Sequence, residues 1–366
     1  MGKSLAPPGA NVAGAHTLDR VRRPYLLLSG VTAGWGTIPV LAGKVDLPST
    51  LIVAIRLWTA AICLGAVLTV QEWRHRRVRQ GRVSGGGGDG GGAGGGGGGA
   101  GDGGGGGGGG GGPGVGVVGP ARLLSFRPFR CALTAVTLGC HWLALFAAYK
   151  RAPAGTVILI VYLAPIGVAA LAPRVLGERL GRRTIGALAA AVAGFALLAA
   201  PTVHAAGATG LILSLIAAAL FVALILLSKS LAPVYGGLRL AFMELAGAGL
   251  VLIPVAMATA WPAPKAAWLW VIVLGVVHTA LGITLYLSVL AEIPATDVGI
   301  LGYLEPVVVV LAAWLWLGQR PALATVAGGL LVVAAGVSIA VSGSTLGRRP
   351  GLDALVGSVD PAVPST

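Results

Sequence analysis

Glu305 stands about 11 residues into an apolar run of the chain spanning 294–317. At 1.5 Å per residue that is a depth of ~16 Å, near the middle of a bilayer core of about 30 Å. A charge at the bilayer centre costs at least ~2.5 kcal/mol, so an ionisable side chain there is by default a candidate for function. Pro306 follows directly, and Pro165 occupies the comparable place in another run. A proline frees a backbone carbonyl and bends or breaks a helix. A carboxyl at a bend suits a cation or a transferable proton. The plainer alternative is a neutral acid that satisfies freed backbone groups. Arg56 and Glu244 each lie about six residues into their runs, which enter from opposite sides. The two are therefore expected ~12 Å apart in depth and not paired. Arg56 suits an anionic group of a substrate, or snorkelling toward the interface. Trp35, Tyr162, Tyr286 and Tyr303 are candidate cavity walls. No convergent ligand set calls for a metal, and no cofactor is expected.

These side chains need helices to hold them. Ten segments approach the ~20 apolar residues that a crossing requires. They are 24–43, 50–70, 130–149, 153–173, 184–200, 208–228, 238–259, 267–290, 294–317 and 322–341. They are apolar all round, which excludes the alternating pattern of a membrane β-barrel. Trp261, Trp268 and Trp270 suit an interfacial belt. Gly30 and Gly34, at small-xxx-small spacing, predict close helix packing. Cys63, Cys131 and Cys140 are expected to be buried thiols with no disulfide.

Composition agrees with a membrane solvent. Hydrophobic residues make up 55 % of the 366 and charged residues 10 %, with mean hydropathy +0.87. The net charge of +14 is no nucleic-acid signal, because the basic residues lie between apolar runs. With the N-terminus placed inside, 20 of the 26 Lys and Arg fall on the inner side and five outside, with Arg56 within a run. This bias predicts a plasma-membrane protein with both termini in the cytoplasm and an even number of helices. The N-terminal region lacks the pattern of a cleaved secretory signal. Residues 85–112 are nearly pure Gly, which predicts a passive flexible loop and not a phosphate-binding one. The expected organisation is a tail 1–23, a first half 24–200 containing a Gly-rich loop within 71–129, a second half 208–341 and a tail 342–366.

The chain repeats itself at an offset of 141. Pro153, Ala154, Tyr162, Leu163, Pro165, Gly177 and Arg179 fall on Pro294, Ala295, Tyr303, Leu304, Pro306, Gly318 and Arg320 without a gap. Apolar similarity alone rarely aligns Pro, Tyr, Gly and Arg together. Five helices per half is an odd number, so the second half must run inverted. The expected fold is an all-α integral membrane protein of ten transmembrane helices in two inverted five-helix repeats, with a substrate site near the midplane. His141 and His278 are 137 apart, about one helical turn short of the offset. They should share a face of corresponding helices, as proton relays or as satisfied packing residues.

"YLAP…LGERLGRRTIGALAAAVAGFALL" and "YLEPVVVVLAAWLWLGQR…AGGLLVVAAG" resemble the two EamA repeats of the drug/metabolite transporter superfamily. Trp35-Gly36 and Arg56 fit the first repeat, and "GATGLILSLIAAALFVALILLSKSL" fits the opening of the second. The resemblance spans roughly 24–341. It implies ten helices and export or exchange of small solutes such as amino acids. Gln319 stands where the family usually carries Glu after the Gly, so the second repeat lacks its loop acid.

The expectation is a secondary carrier, not an enzyme, that works in the lipid bilayer on a small-molecule substrate, with protons as a candidate coupling ion and no nucleic-acid partner. A homodimer is compatible with it. No Walker motif is present, which argues against ATP drive. The rivals are a membrane-embedded enzyme, for which Ser214, Ser228 and Ser288 lack a placed base, and a receptor or scaffold.

Overall fold

A computed structural model of the chain describes residues 10–84, 128–204, 206–261 and 268–346. The Gly-rich tract, residues 1–9 and 347–366 of the tails, Lys265, Arg122 and Arg127 lie outside them. The chain divides into two compact units. The smaller, Gly65–Pro128, contains the later turns of one helix, where the Arg77 guanidinium sits 3.8 Å from the Trp73 ring. Everything below concerns the larger unit, residues 1–64 and 129–366.

The described residues are helical without strands. The helices of the first half are α1 (Ala10–Trp35), α2 (Ile38–Ala42), α3 (Ser49–Ser84), α4 (Pro128–Tyr149), α5 (Ala154–Val161), α6 (Ala164–Val175) and α7 (Arg182–Ala199). Those of the second are α8 (Ala208–Val251), α9 (Ile253–Met257), α10 (Trp268–Val273), α11 (Gly282–Glu292), α12 (Ala295–Gly302), α13 (Leu304–Leu317) and α14 (Leu323–Leu346), with a π-helical stretch, Leu274–Leu281, joining α10 to α11. Nine helical stretches among the described residues are long and apolar enough to cross a membrane. One of them, α8, has 44 residues, about 66 Å and twice a bilayer core. Its helical geometry is broken at Gly236 (φ 72, ψ 158), a conformation a side chain would resist. It thus holds two of the expected segments, the sixth and seventh crossings.

The repeat is visible in the backbone. Pro153 caps α5 at φ −56, ψ 137, and Pro294 caps α12 at φ −53, ψ 142. Gly177 and Gly318 both take left-handed angles, φ 69 and φ 68, where the fourth and ninth crossings end. Both crossings also break midway, at Tyr162-Leu163 and at Tyr303. Pro165 and Pro306 leave the carbonyls four residues earlier, Val161 and Gly302, without their usual helical donor, and the breaks lie just beyond these. Pro165 and Pro306 sit in the first turn of the new helix, where a missing N–H costs nothing.

The last helix of each half packs on the other. A Cβ on Gly194 of α7 would stand 2.7 Å from the Gly328 carbonyl of α14, and one on Gly328 would strike the Gly194 carbonyl. Gly30 and Gly34 correct the expectation of close packing, because a Cβ there meets nothing within 4 Å. Sequence spacing defines a stripe but not the direction it faces. Cys131 is buried, but Cys63 and Cys140 are only half-buried, and all three are free. Of the three tryptophans expected to form a belt, Trp261 and Trp268 are exposed, whereas Trp270 is half-buried with the Lys44 ammonium 4.7 Å over its ring.

Candidate functional site

Alternation of the crossings puts connections 43–48, 150–153, 200–207 and 318–322 at one face, called here the Gln319 face. Connections 176–181 and 293–294 lie at the opposite, Glu178 face. A cavity of about 1010 Å³ runs between the halves and reaches Gln319 and Arg320 at its rim. Eight of the residues singled out from sequence line it: Trp35, Arg56, His141, Tyr162, Glu244, His278, Tyr286 and Glu305. Pro165 and Pro306 line it too. Tyr303 is the exception. It is fully buried behind the wall, and its hydroxyl donates to the Tyr162 carbonyl at 2.6 Å.

That bond ties the two helix breaks together. The Tyr162 and Tyr303 rings lie 5.9 Å apart, with Phe195 against both. Glu305 follows in the first turn of α13, at the helix end whose dipole favours an acid. Its carboxyl interacts with the Tyr162 hydroxyl and the Arg56 guanidinium. The first crossing leans on this point. A Cβ on Gly36 would lie 2.6 Å from Val308 Cβ and 2.7 Å from the Glu305 carbonyl, so only glycine fits beside Trp35.

Arg56 is 9 % exposed and faces the cavity from α3. Its Nε donates to Thr279 Oγ1 at 3.1 Å, and its guanidinium lies 5.9 Å from the Trp142 ring. The Glu305 carboxyl is the charged group that acts on this guanidinium across the cavity. Thr279 sits in the π-helical stretch, where its hydroxyl also donates to the Leu274 carbonyl at 2.8 Å. Such stretches are frequent at functional sites. No sequence signal marked this one. Arg56 and Glu244 are not paired, as expected: Glu244 accepts from Ser228 Oγ at 2.7 Å.

The histidines occupy related places and bind across the halves. His141 Nδ1 lies 2.9 Å from the Ala217 carbonyl of α8, and its ring stacks on Phe221 at 5.1 Å. His278 Nε2 lies 3.1 Å from Thr37 Oγ1, and its carbonyl accepts from Trp35 Nε1 at 2.7 Å. Trp35 also packs on Tyr286 at 5.4 Å. Each histidine therefore reaches the first crossing of the opposite half.

Sequence reasoning missed a second polar cluster, at the Glu178 face. Lys229 Nζ donates to the Leu290 and Ile293 carbonyls, both at 2.7 Å, and lies 3.9 Å from Glu178 Oε1. Both Glu178 oxygens accept from the Ala295 N–H, at 3.0 and 2.9 Å. The Tyr25 hydroxyl donates to Asp297 Oδ2 at 2.9 Å. Asp297 was a legible signal, an acid within an apolar run. Lys229 was hidden, because it reads as one more basic loop residue.

Two inverted halves, each with a helix broken at mid-depth beside a shared cavity, define a membrane carrier. The chain belongs to the EamA-like transporter family, which matches residues 117–200 and 208–341. The first match begins beyond the Gly-rich tract, so it covers only the later crossings of the first half. A probable terminal-alkyne amino-acid exporter of Streptantibioticus cattleyicolor is 32 % identical over 200 residues, 54 % of this chain and 67 % of that one. An uncharacterized transporter of Archaeoglobus fulgidus is 27 % identical over 194 residues, 53 % of this chain and 69 % of that one. A solved crystal structure shares the fold with a TM-score of 0.65 at 17 % identity, over 90 % of this chain and 99 % of that one. The protein is a multi-pass membrane transporter of small solutes.

Proposed function

We propose that the protein exports amino-acid-like zwitterions across the plasma membrane by alternating access of its two inverted halves. One observation carries this reading: a guanidinium fork and a carboxyl, Arg56 and Glu305, face one apolar cavity between the halves. Arg56 suits the carboxylate of the solute, since a guanidinium presents paired donors in the plane a carboxylate needs. Glu305 suits the ammonium, or a proton that exchanges with it. Trp35, Tyr286 and Trp142 offer a wall for an apolar side chain. The amino-acid exporter among the relatives supports the substrate class and the direction. The basic-residue bias supports cytoplasmic termini, which sets the Gln319 face outside.

The family match supports a carrier over an enzyme. The Ser214 and Ser288 hydroxyls donate to Gly210 and Thr284 carbonyls, and Ser228 to Glu244. None faces a histidine base. The test is counterflow in proteoliposomes loaded in turn with each of a panel of unlabelled amino acids. Uptake of the matching labelled amino acid, absent with dicarboxylates, sugars and amines, is the expected result. A carrier that exchanges only amines or only sugars would refute the proposal.

A further inference from the structure

We infer that Glu178, Lys229, Asp297 and Tyr25 form a latch that holds the Glu178 face shut, and that Gln319 is its uncharged counterpart, which leaves the Gln319 face unlatched. The inference rests on the alternating-access reading and adds a resting state to it.

The cluster joins the halves at one level. Tyr25 of α1 and Glu178 after α6 belong to the first half. Lys229 of α8, the end of α11 and the start of α12 belong to the second. The Lys229 ammonium sits where the chain leaves α11, on the Leu290 and Ile293 carbonyls. A cation there complements the negative end of a helix. The Glu178 carboxylate sits where α12 begins, on the Ala295 N–H, and an anion complements a positive end. One ion pair thus fastens the connection between the eighth and ninth crossings. Tyr25 and Asp297, 4 % and 7 % exposed, bond beneath it.

The repeat supplies the comparison. At the offset of 141, Glu178 corresponds to Gln319 and Ala295 to Ala154. Ala295 is fully buried, whereas Ala154 is exposed. Gln319 is exposed at the cavity rim. The same pair of positions is therefore closed at one face and open at the other. When the carrier inverts, Gln319 must approach the Ala154 N–H, as Glu178 now approaches Ala295. It brings an amide where Glu178 brings a charge, and charge-assisted hydrogen bonds are roughly twice as strong as neutral ones. Closure of the Gln319 face is the weaker of the two, and the cavity rests open there.

Thiol accessibility tests this without any need for a known substrate. Val298 lines the cavity just behind the latch and is 2 % exposed. A Val298→Cys reporter is placed in the full chain with Cys63, Cys131 and Cys140 replaced by Ser. A membrane-impermeant thiosulfonate is applied to either side of oriented vesicles. The parent chain should label from the Gln319 face. Glu178→Gln should raise labelling from the Glu178 face by about tenfold, the worth of roughly one charge-assisted bond. Gln319→Glu, at an exposed position that need not disturb folding, should shift the ratio in the same direction by strengthening the opposite closure. Labelling from the Glu178 face unchanged by Glu178→Gln overturns the latch, and a ratio unmoved by Gln319→Glu overturns the role of Gln319. A failed amino-acid counterflow would refute the substrate reading and leave these ratios untouched.

Discussion

Replacing Arg56 by Gln should separate carboxylate recognition from everything else the site does. The Arg56 fork has its Nε committed to Thr279, and its terminal nitrogens face the cavity that Glu305 also lines. A bound carboxylate would take one or two charge-assisted hydrogen bonds from them. Each hydrogen bond to a charged group is worth about 1.5–3 kcal/mol, and every 1.4 kcal/mol is tenfold in affinity. The Gln amide keeps one donor, so Arg56→Gln should lose about one of these bonds and raise the KM for an amino acid by roughly 10- to 150-fold. Arg56→Lys keeps the charge but loses the fork and the Thr279 bond, so it should fall between. The assay is initial-rate counterflow in proteoliposomes with an amino acid and with its amide, which lacks the carboxylate. The parent should transport the amide poorly, and Arg56→Gln should leave that residual rate nearly unchanged. The comparison is a double-mutant cycle between protein and solute. Equal losses for acid and amide would refute the reasoning, because Arg56 would then support the fold and not the carboxylate.

Glu305→Gln keeps shape and hydrogen bonding but cannot exchange a proton. If Glu305 couples protons, this variant should still exchange substrate across the membrane but fail to concentrate it when a pH gradient is imposed on the proteoliposomes. A variant that still concentrates substrate removes Glu305 from coupling. Gly328→Val should lower expression and thermal stability well below the parent, measured by detergent melting, because its side chain must displace the Gly194 carbonyl. Gly30→Val, with open space around it, should not. A reporter at Ala100 or after Arg349 should be cytoplasmic and one near Pro262 external, and a cytoplasmic signal at Pro262 would contradict the topology. Deletion of 85–112 should leave transport intact, since loop length costs only about 0.6 kcal/mol per doubling, and loss of transport in a normally inserted deletion would show that the tract has a role.

Prolines and glycines made the repeat legible because their backbone demands are local. Pro153 and Pro294, and Gly177 and Gly318, take the same angles in both halves whatever packs around them. The cavity residues were legible for a related reason: a polar side chain in an apolar run is costly, so each one points to its own use. The helix breaks were legible in outline, because Pro165 and Pro306 stand three residues beyond Tyr162 and Tyr303, but how the two breaks meet was not. They are held by packing against Phe195 and by the bond between the two tyrosines, both tertiary. The π-helical stretch that aims Thr279 at Arg56 has no compositional mark. Nor could spacing tell that Gly30 and Gly34 face open space while Gly36, on the same helix, meets Glu305. Rotation of a helix about its axis is decided by its neighbours.

The partners of α1 also set a clock on assembly. Tyr25 bonds to Asp297, 272 residues later, and Trp35 to His278, 243 residues later. At synthesis rates of roughly 5–20 residues per second, the first crossing stands in the bilayer for about 12–55 s before those partners exist. During that interval its Tyr25 hydroxyl and the Trp35 indole must be served by lipid, by water or by another protein. Closure of the molecule is thus an event of the last third of translation. A ribosome that stalls between residues 250 and 290 releases a nascent chain whose earliest helix has nowhere to dock, and such a chain is a natural target for membrane quality control.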